Sequence, residues 1–399
     1  MTTDVTTNLL EDARDVLPEI VDIRRRLHAE PELGLQLPKT QAVVAADLES
    51  LGIEGHRGRS TTSVTAFIDG ARPGPTILVR ADMDALPLTE ETGLDFASTV
   101  EGRMHACGHD THVAMLLGAA RLLIDRRRDF AGRVLLMFQP GEEGFHGARY
   151  MLDEGLLDEQ GVTGAFALHV TTHYASGTVN LKPGPEMAAG DTIRITVRGR
   201  GGHASAPHAA ADPITVAAEI VLALQVMITR RVDVFDPAVI TIANIAAGTT
   251  TNIIPETAFI QGTMRTVSEQ TRVATREHVR RVAAGIAAAH DVTADVEIEP
   301  GYPVTVNDPA FAEFVEGVAA ELVGAEQVAR MPAPIMGAED FSYVLQRVPG
   351  AMVFLGARPA DLDPATAPQN HSNRVVFDED AMAVGSALYA AVALRHLGR

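Results

Sequence analysis

The chain has 399 residues and carries 33 Lys and Arg against 52 Asp and Glu, a formal net charge of −19. So acidic a balance argues against a nucleic-acid binder, which would usually show a basic patch, and the length exceeds the roughly 250–300 residues at which one core stops growing, so two domains are expected. The first residues show no basic segment before an apolar core, no apolar run reaches bilayer length, and one cysteine excludes an internal disulfide; a cytoplasmic protein with no membrane or nucleic-acid partner is expected.

Residues 8–29 show the apolar periodicity of one helix, with Leu9, Leu10, Ala13, Leu17, Ile20, Ile23 and Leu27, closing at Glu30-Pro31. His28 at its end reads as a packing or capping residue. A second helix is expected over 38–51 and a strand over 63–69. Thr76-Ile77-Leu78-Val79-Arg80 is a short apolar run suited to a buried parallel strand, followed at once by Asp82 and Asp84. In open α/β sheets ligands sit outside the carboxyl ends of the strands, so these acids are placed to support chemistry. Next comes Met104-His105-Ala106-Cys107-Gly108-His109-Asp110-Thr111-His112, which sets the sole cysteine among three histidines. A thiolate and neutral imidazoles are what a transition metal takes, and Cys107 could equally serve as a nucleophile. A helix is expected from Asp110 as N-cap, leaving Cys107 and His109 in the loop before it and His112 on its first turn.

The strand-end pattern recurs. Arg133–Phe138 ends in Gln139-Pro140-Gly141-Glu142-Glu143-Gly144, where adjacent carboxylates repel unless a cation offsets them. One Glu can bind a metal while its neighbour takes the proton of metal-activated water. Gly164–Val170 is an apolar run that terminates at His169, and His173 beyond it reads as a surface-loop residue.

From about Gly190 the pattern changes to strand 191–198, helix 212–231, strands 238–247 and 255–264, helix 268–290 and strand 292–298. This β-α-β-β-α-β order is ferredoxin-like and is large enough for a domain of its own over 188–302, inserted into a domain made of 1–187 and 303–399. The glycines before His203 let backbone approach a ligand closely, and His203 could donate a hydrogen bond to a developing oxyanion. Asn252 and Arg265 flank one strand and could together grip a carboxylate. In the last segment helices are expected over 309–323 and 378–397, a short helix opening at Gly337-Ala338-Glu339-Asp340-Phe341-Ser342, and a buried strand over 351–356. His371 is a loop histidine with no local sign of ligation.

Together, Ala81-Asp82-Met83-Asp84-Ala85-Leu86-Pro87, the Met104–His112 stretch, Gln139-Pro140-Gly141-Glu142-Glu143-Gly144, Ala167-Leu168-His169-Val170, Gly201-Gly202-His203-Ala204-Ser205, Asn252-Ile253-Ile254-Pro255 and Gly337–Phe341 resemble the M20 metallopeptidase superfamily. Within it the chain is similar to the amidohydrolase branch of hippurate hydrolases, N-acyl-amino-acid amidohydrolases and auxin-conjugate hydrolases. The resemblance implies an α/β catalytic domain, with a mixed, mostly parallel sheet flanked by helices, and a ferredoxin-like α+β lid. It implies two divalent metal ions (Mn, Zn, Co or Ni) bound by Cys107, His109, Glu143, His169 and His371, with Glu142 as catalytic base and Asp84 as supporting acid. His203, Asn252 and Arg265 match substrate contacts of relatives. Asp82 stands where peptidase relatives have a metal-binding histidine, which leaves its contact with metal open, and Asn373-Arg374 departs from the proline-containing run expected after His371. The implied reaction is hydrolysis of the amide bond of a small-molecule N-acyl amino acid. A dipeptidase or N-acetyl-diaminopimelate-type deacetylase and a non-catalytic metal-binding protein are the alternatives. In related enzymes the lid is often a dimer interface, so a homodimer or homotetramer is expected.

Overall fold

The apolar run at Thr76–Ala81 forms the buried half of the strand Arg72–Asp82, and in the computed structural model, which describes residues 8–398, that strand lies inside an eight-stranded sheet. The sheet order is Gly55–Arg57, Val64–Asp69, Ala131–Gln139, Arg72–Asp82, Val162–Ala175, Gly350–Arg358, Val179–Leu181 and Val328–Arg330. The four strands from Ala131–Gln139 to Gly350–Arg358 run parallel, and Val64–Asp69 joins antiparallel. Strands covered on both faces must be apolar throughout, which is why these segments read as unbroken hydrophobic runs rather than alternating ones. The helices His109–Asp125 and Ala381–Leu397, almost wholly buried, supply much of the cover.

Three local expectations change. The helix expected over 8–29 is two, Leu9–Asp15 and Leu17–Ala29, because Pro18 has no N–H to continue the ladder across Val16. Asp110 is not an N-cap. Gly108, at φ 91°, takes that position, so His109 is the first helical residue and Asp110 lies buried in the first turn. The strand expected to end near His169 continues to Ala175, so His169 is inside it and the exposed His173 belongs to it rather than to a loop.

The chain divides into two compact units. The larger holds the residues up to Gly184, Val306–Ala333 and those from Tyr343 onward; the smaller holds Pro185–Thr305 with Pro334–Ser342. The segment 334–342, expected in the catalytic domain, joins the insertion instead, because Ile335 exchanges backbone hydrogen bonds with Ala188 (2.9 Å) and Glu186 (2.8 Å). The short helix there is Ser342–Leu345 rather than one opening at Gly337.

In the smaller unit four antiparallel strands lie in the order Ala238–Ala247, Thr257–Thr266, Ala189–Arg198 and Thr293–Pro300. The helices Pro213–Arg231 and Glu269–Ala289 pack on its apolar face through Val216, Ile220, Leu224, Val279 and Ala283, against Ile193, Ile195, Val197 and Ile260. Asp212 and Ser268 cap the two helices by accepting from Ile214 N–H and Thr271 N–H. The helix Pro213–Arg231 is long and apolar enough to cross a membrane by length and composition, contrary to the expectation that no run is. Its apolarity has two separate outlets: one side packs on the sheet, and the other exposes Ile214, Leu222 and Val226.

Candidate metal centre

The candidate ligands of the larger unit converge at the carboxyl ends of the parallel strands. Cys107 Sγ lies 3.3 Å from His169 Nε2, and the ligand atoms of Cys107, His109 and His169 are within 4.8 Å of one another. The same sulfur belongs to a second group with Glu143 and His371, whose Oε1 and Nε2 are 3.3 Å apart. The two groups share one sulfur, and thiolate, imidazole and carboxylate together would suit Zn²⁺ and neighbouring divalent ions.

Backbone carbonyls set the tautomers. His109 Nδ1–H donates to Asp84 O at 2.7 Å, and His169 Nδ1–H donates to Val170 O at 2.7 Å, so each ring, once neutral, presents the Nε2 lone pair. His109 Nε2 is buried without a hydrogen-bond partner, 3.5 Å from Asp82 Oδ2 and 4.0 Å from Glu143 Oε1. A buried lone pair of this kind, facing a carboxylate and a sulfur, fits a cation. Burial pushes the Cys107 thiol well above its ordinary value, and Glu143, Glu142 and Asp82 push it further, so a cation is needed to make the thiolate. Burial opposes charge on His109, yet Asp82, Asp84 and Glu143 together raise it to about 10. Ion uptake would therefore release protons.

Asp84 organises the two glutamates. Its Oδ1 accepts Glu142 N–H at 2.9 Å and its Oδ2 accepts Glu143 N–H at 3.0 Å. Asp82, two residues earlier, is held by two partners while its Oδ2 also lies 3.5 Å from His109 Nε2: Arg80 Nη1 donates to its Oδ2 at 2.7 Å and His112 Nδ1–H to its Oδ1 at 2.5 Å. Burial works against this carboxylate's charge, but Arg80, His109 and His112 hold it well below the usual range. His112 Nε2 in turn accepts Val170 N–H at 2.9 Å, which occupies its lone pair. Arg80 and His112 thus belong to the site's frame. His112 falls within a motif legible in the chain; Arg80 gave no signal, because an arginine inside an apolar strand is recognisable only beside its partner.

His28 packs, as expected, within a charged cluster. Its Nδ1 lies 2.8 Å from Asp110 Oδ2 and its Nε2 3.2 Å from Glu90 Oε1, while the buried Arg24 donates to Asp110 at 2.7 Å.

In the smaller unit His203 is exposed, and its Nδ1 accepts Ser205 N–H at 3.1 Å, so the neutral ring carries its proton on Nε2. Asn252 adjoins it: Ile253 pairs with His203, and Ala204 N–H donates to Asn252 O at 3.1 Å. Arg265 pairs with Gly190, where a Cβ would come within 2.5 Å of its Nη1. The structure does not bring Asn252 and Arg265 together. They lie at opposite ends of the strand Thr257–Thr266, whose length is roughly 30 Å at about 3.3 Å per residue, so one chain's pair cannot grip one carboxylate.

Comparison with known proteins matches residues 78–395 to the model described as peptidase family M20/M25/M40. The chain is 39% identical over 396 residues to thermostable carboxypeptidase 1 of Saccharolobus solfataricus, covering 98% of this chain and 99% of that one. It is 39% identical over 376 residues to N-acetylcysteine deacetylase of Bacillus subtilis, covering 94% and 96% of the two chains. Among solved structures, a dinuclear metal-binding peptidase of the M20 family from Bacillus subtilis is similar at a TM-score of 0.83 and 36% identity, covering 96% of this chain and 99% of that one. The match runs through the strands that carry the two Cys107-sharing groups, and the chain belongs to peptidase family M20/M25/M40, as a metal-dependent hydrolase of amide bonds.

Proposed function

We propose that this chain hydrolyses the amide bond of N-acyl amino acids, with Cys107, His109, Glu143, His169 and His371 holding two divalent ions and Glu142 as general base. One observation carries the reading. Asp84 holds Glu142 and Glu143 alike by their backbone N–H groups, yet only Glu143 falls in a group that shares Cys107, whereas Glu142 groups with His109 and Glu143 without the sulfur, beside the proposed ions. Bound ions would polarise the scissile carbonyl and acidify water. Glu142, only 6% exposed, takes the water's proton and passes it to the leaving nitrogen. In the smaller unit, which we read as a lid, His203 offers its Nε2–H to the oxyanion, a contribution of roughly 3 kcal/mol for one donor. Arg265 offers its guanidinium to a substrate carboxylate.

The separation of Asn252 from Arg265 supports pairing of two chains, each lending one end of its lid. Ile214, Leu222 and Val226 fall on one exposed row, at spacings of eight and four residues, and Leu222 is 69% exposed. Ala238–Ala247 is an edge strand of the lid sheet, with its outer backbone available to a second copy. The buried thiol Cys107 also favours a reducing, cytoplasmic setting. The likeness to a carboxypeptidase favours peptides as a second substrate class; both classes present an amide followed by a free carboxylate.

The test is chelation, reconstitution with Mn²⁺, Co²⁺ or Zn²⁺, and assay against benzoyl-, acetyl- and indoleacetyl-amino acids and short peptides. Metal-dependent release of the amino acid is expected, with Glu142→Gln retaining both ions and losing roughly 10²–10⁴-fold in kcat. A Glu142→Gln protein that binds two ions and turns over like wild type would sink the assignment.

A further inference from the structure

One side chain in the larger unit ties together three of the backbone segments that carry proposed ligands, and the chemistry above does not use it. Asn370 Nδ2 donates to Cys107 O at 3.0 Å and to Val170 O at 2.9 Å. Both partners are carbonyl oxygens, so only the NH₂ end of the amide can face them. Val170 O also takes His169 Nδ1–H at 2.7 Å, so a single carbonyl orients His169 and receives Asn370. The next residue is His371, whose N–H donates to Ala106 O at 2.9 Å and whose φ is 69°, a left-handed backbone that a β-carbon disfavours. Asn370 Oδ1 is buried without a hydrogen-bond partner. A buried acceptor left unpaired detracts from stability and offsets part of what the two donated bonds contribute.

Resting on the two-ion reading, we propose that Asn370 is a positioning residue of the metal centre. By tying the Cys107 and Val170 carbonyls to the peptide that bears His371, it sets the reach of His371 toward Glu143 and the shared sulfur. A mere loop anchor would affect folding; a positioning residue must affect ion binding.

The experiment titrates metal-free wild type, Asn370→Ala and Asn370→Asp with Co²⁺, following the visible absorption bands and the stoichiometry by equilibrium dialysis, beside thermal melting of the metal-free proteins. Asn370→Asp keeps the volume and removes both donors. Asn373→Ala is the control, since Asn373 offers its neighbour Glu91 only a backbone carbonyl, at 2.8 Å. Wild type and Asn373→Ala are expected to bind two ions alike. Both Asn370 variants are expected to keep one ion, to bind the other roughly 10- to 100-fold more weakly with altered bands, and to melt below wild type without metal while remaining folded. If either Asn370 variant binds two Co²⁺ ions with wild-type affinity and spectrum, the proposal is overturned, whatever its melting temperature. Wild type that binds fewer than two ions would instead overturn the reading on which the proposal rests.

Discussion

Asp84 Oδ1 accepts the backbone N–H of Glu142 at 2.9 Å while its other oxygen accepts that of Glu143 at 3.0 Å, so one carboxylate fixes the turn that presents both glutamates. In Asp84→Asn one of these N–H groups would face an NH₂ group and lose its acceptor. We expect kcat to fall roughly 10- to 100-fold, as for other residues that orient ligands, and stability to fall by about 1–3 kcal/mol. Turnover of the reconstituted protein and urea unfolding of the metal-free protein measure the two effects, and wild-type values in both would deny Asp84 this role.

Gly108 stands between Cys107 and His109 at φ 91°, and a Cβ there would come within 2.4 Å of Val170 Cγ2. Gly108→Ala must therefore both strain the backbone and displace a strand next to His169. A loss of about 1–3 kcal/mol in stability together with weakened Co²⁺ binding is expected. Unchanged binding would mean that the ligand loop adapts.

Glu90 gives a pH signature. Burial opposes its charge, but His28, Thr92 and Ser98 N–H lower it from 4.5 to about 2. A carboxyl lowered on folding lends stability that is full above its unfolded value and lost as pH falls through the folded one. Glu90→Gln should thus lower the urea midpoint of the metal-free protein near neutral pH, and the gap to wild type should close as pH falls from 4.5 toward about 2. A gap of constant size across that range would contradict the shift.

Leu222, 69% exposed on the lid helix, anchors the pairing expectation. Leu222→Glu should convert a dimer into a monomer in sedimentation experiments and lower kcat with the ion content unchanged. A wild-type chain that sediments as a monomer and is fully active would refute pairing as part of the site.

Much of the centre was legible because a doubly covered parallel strand must be apolar, which makes any acid or histidine at its end conspicuous. Asp82, Asp84, Glu142, Glu143 and His169 all stood out in this way, and the 2-versus-3.6 periodicity marked the inserted unit. His371 was legible only through the family resemblance, since nothing near it in the chain favours ligation. The expected Asn252–Arg265 clamp failed because proximity along a chain that flanks a strand does not survive the strand's own length.

By itself the sequence determined the elements, the inserted unit and the chemical kinds of side chain at the strand ends, because burial and periodicity act locally. Only the tertiary structure decided which of those groups are spent on one another. Asp82 is held by Arg80 and His112, whereas Asp84 is turned to the glutamate backbone. Asn370 meets Cys107 across 263 positions. Hydrogen bonds of a few ångströms between residues so far apart leave no trace in local pattern, because the chain must first close a long loop before either partner has anything to recognise.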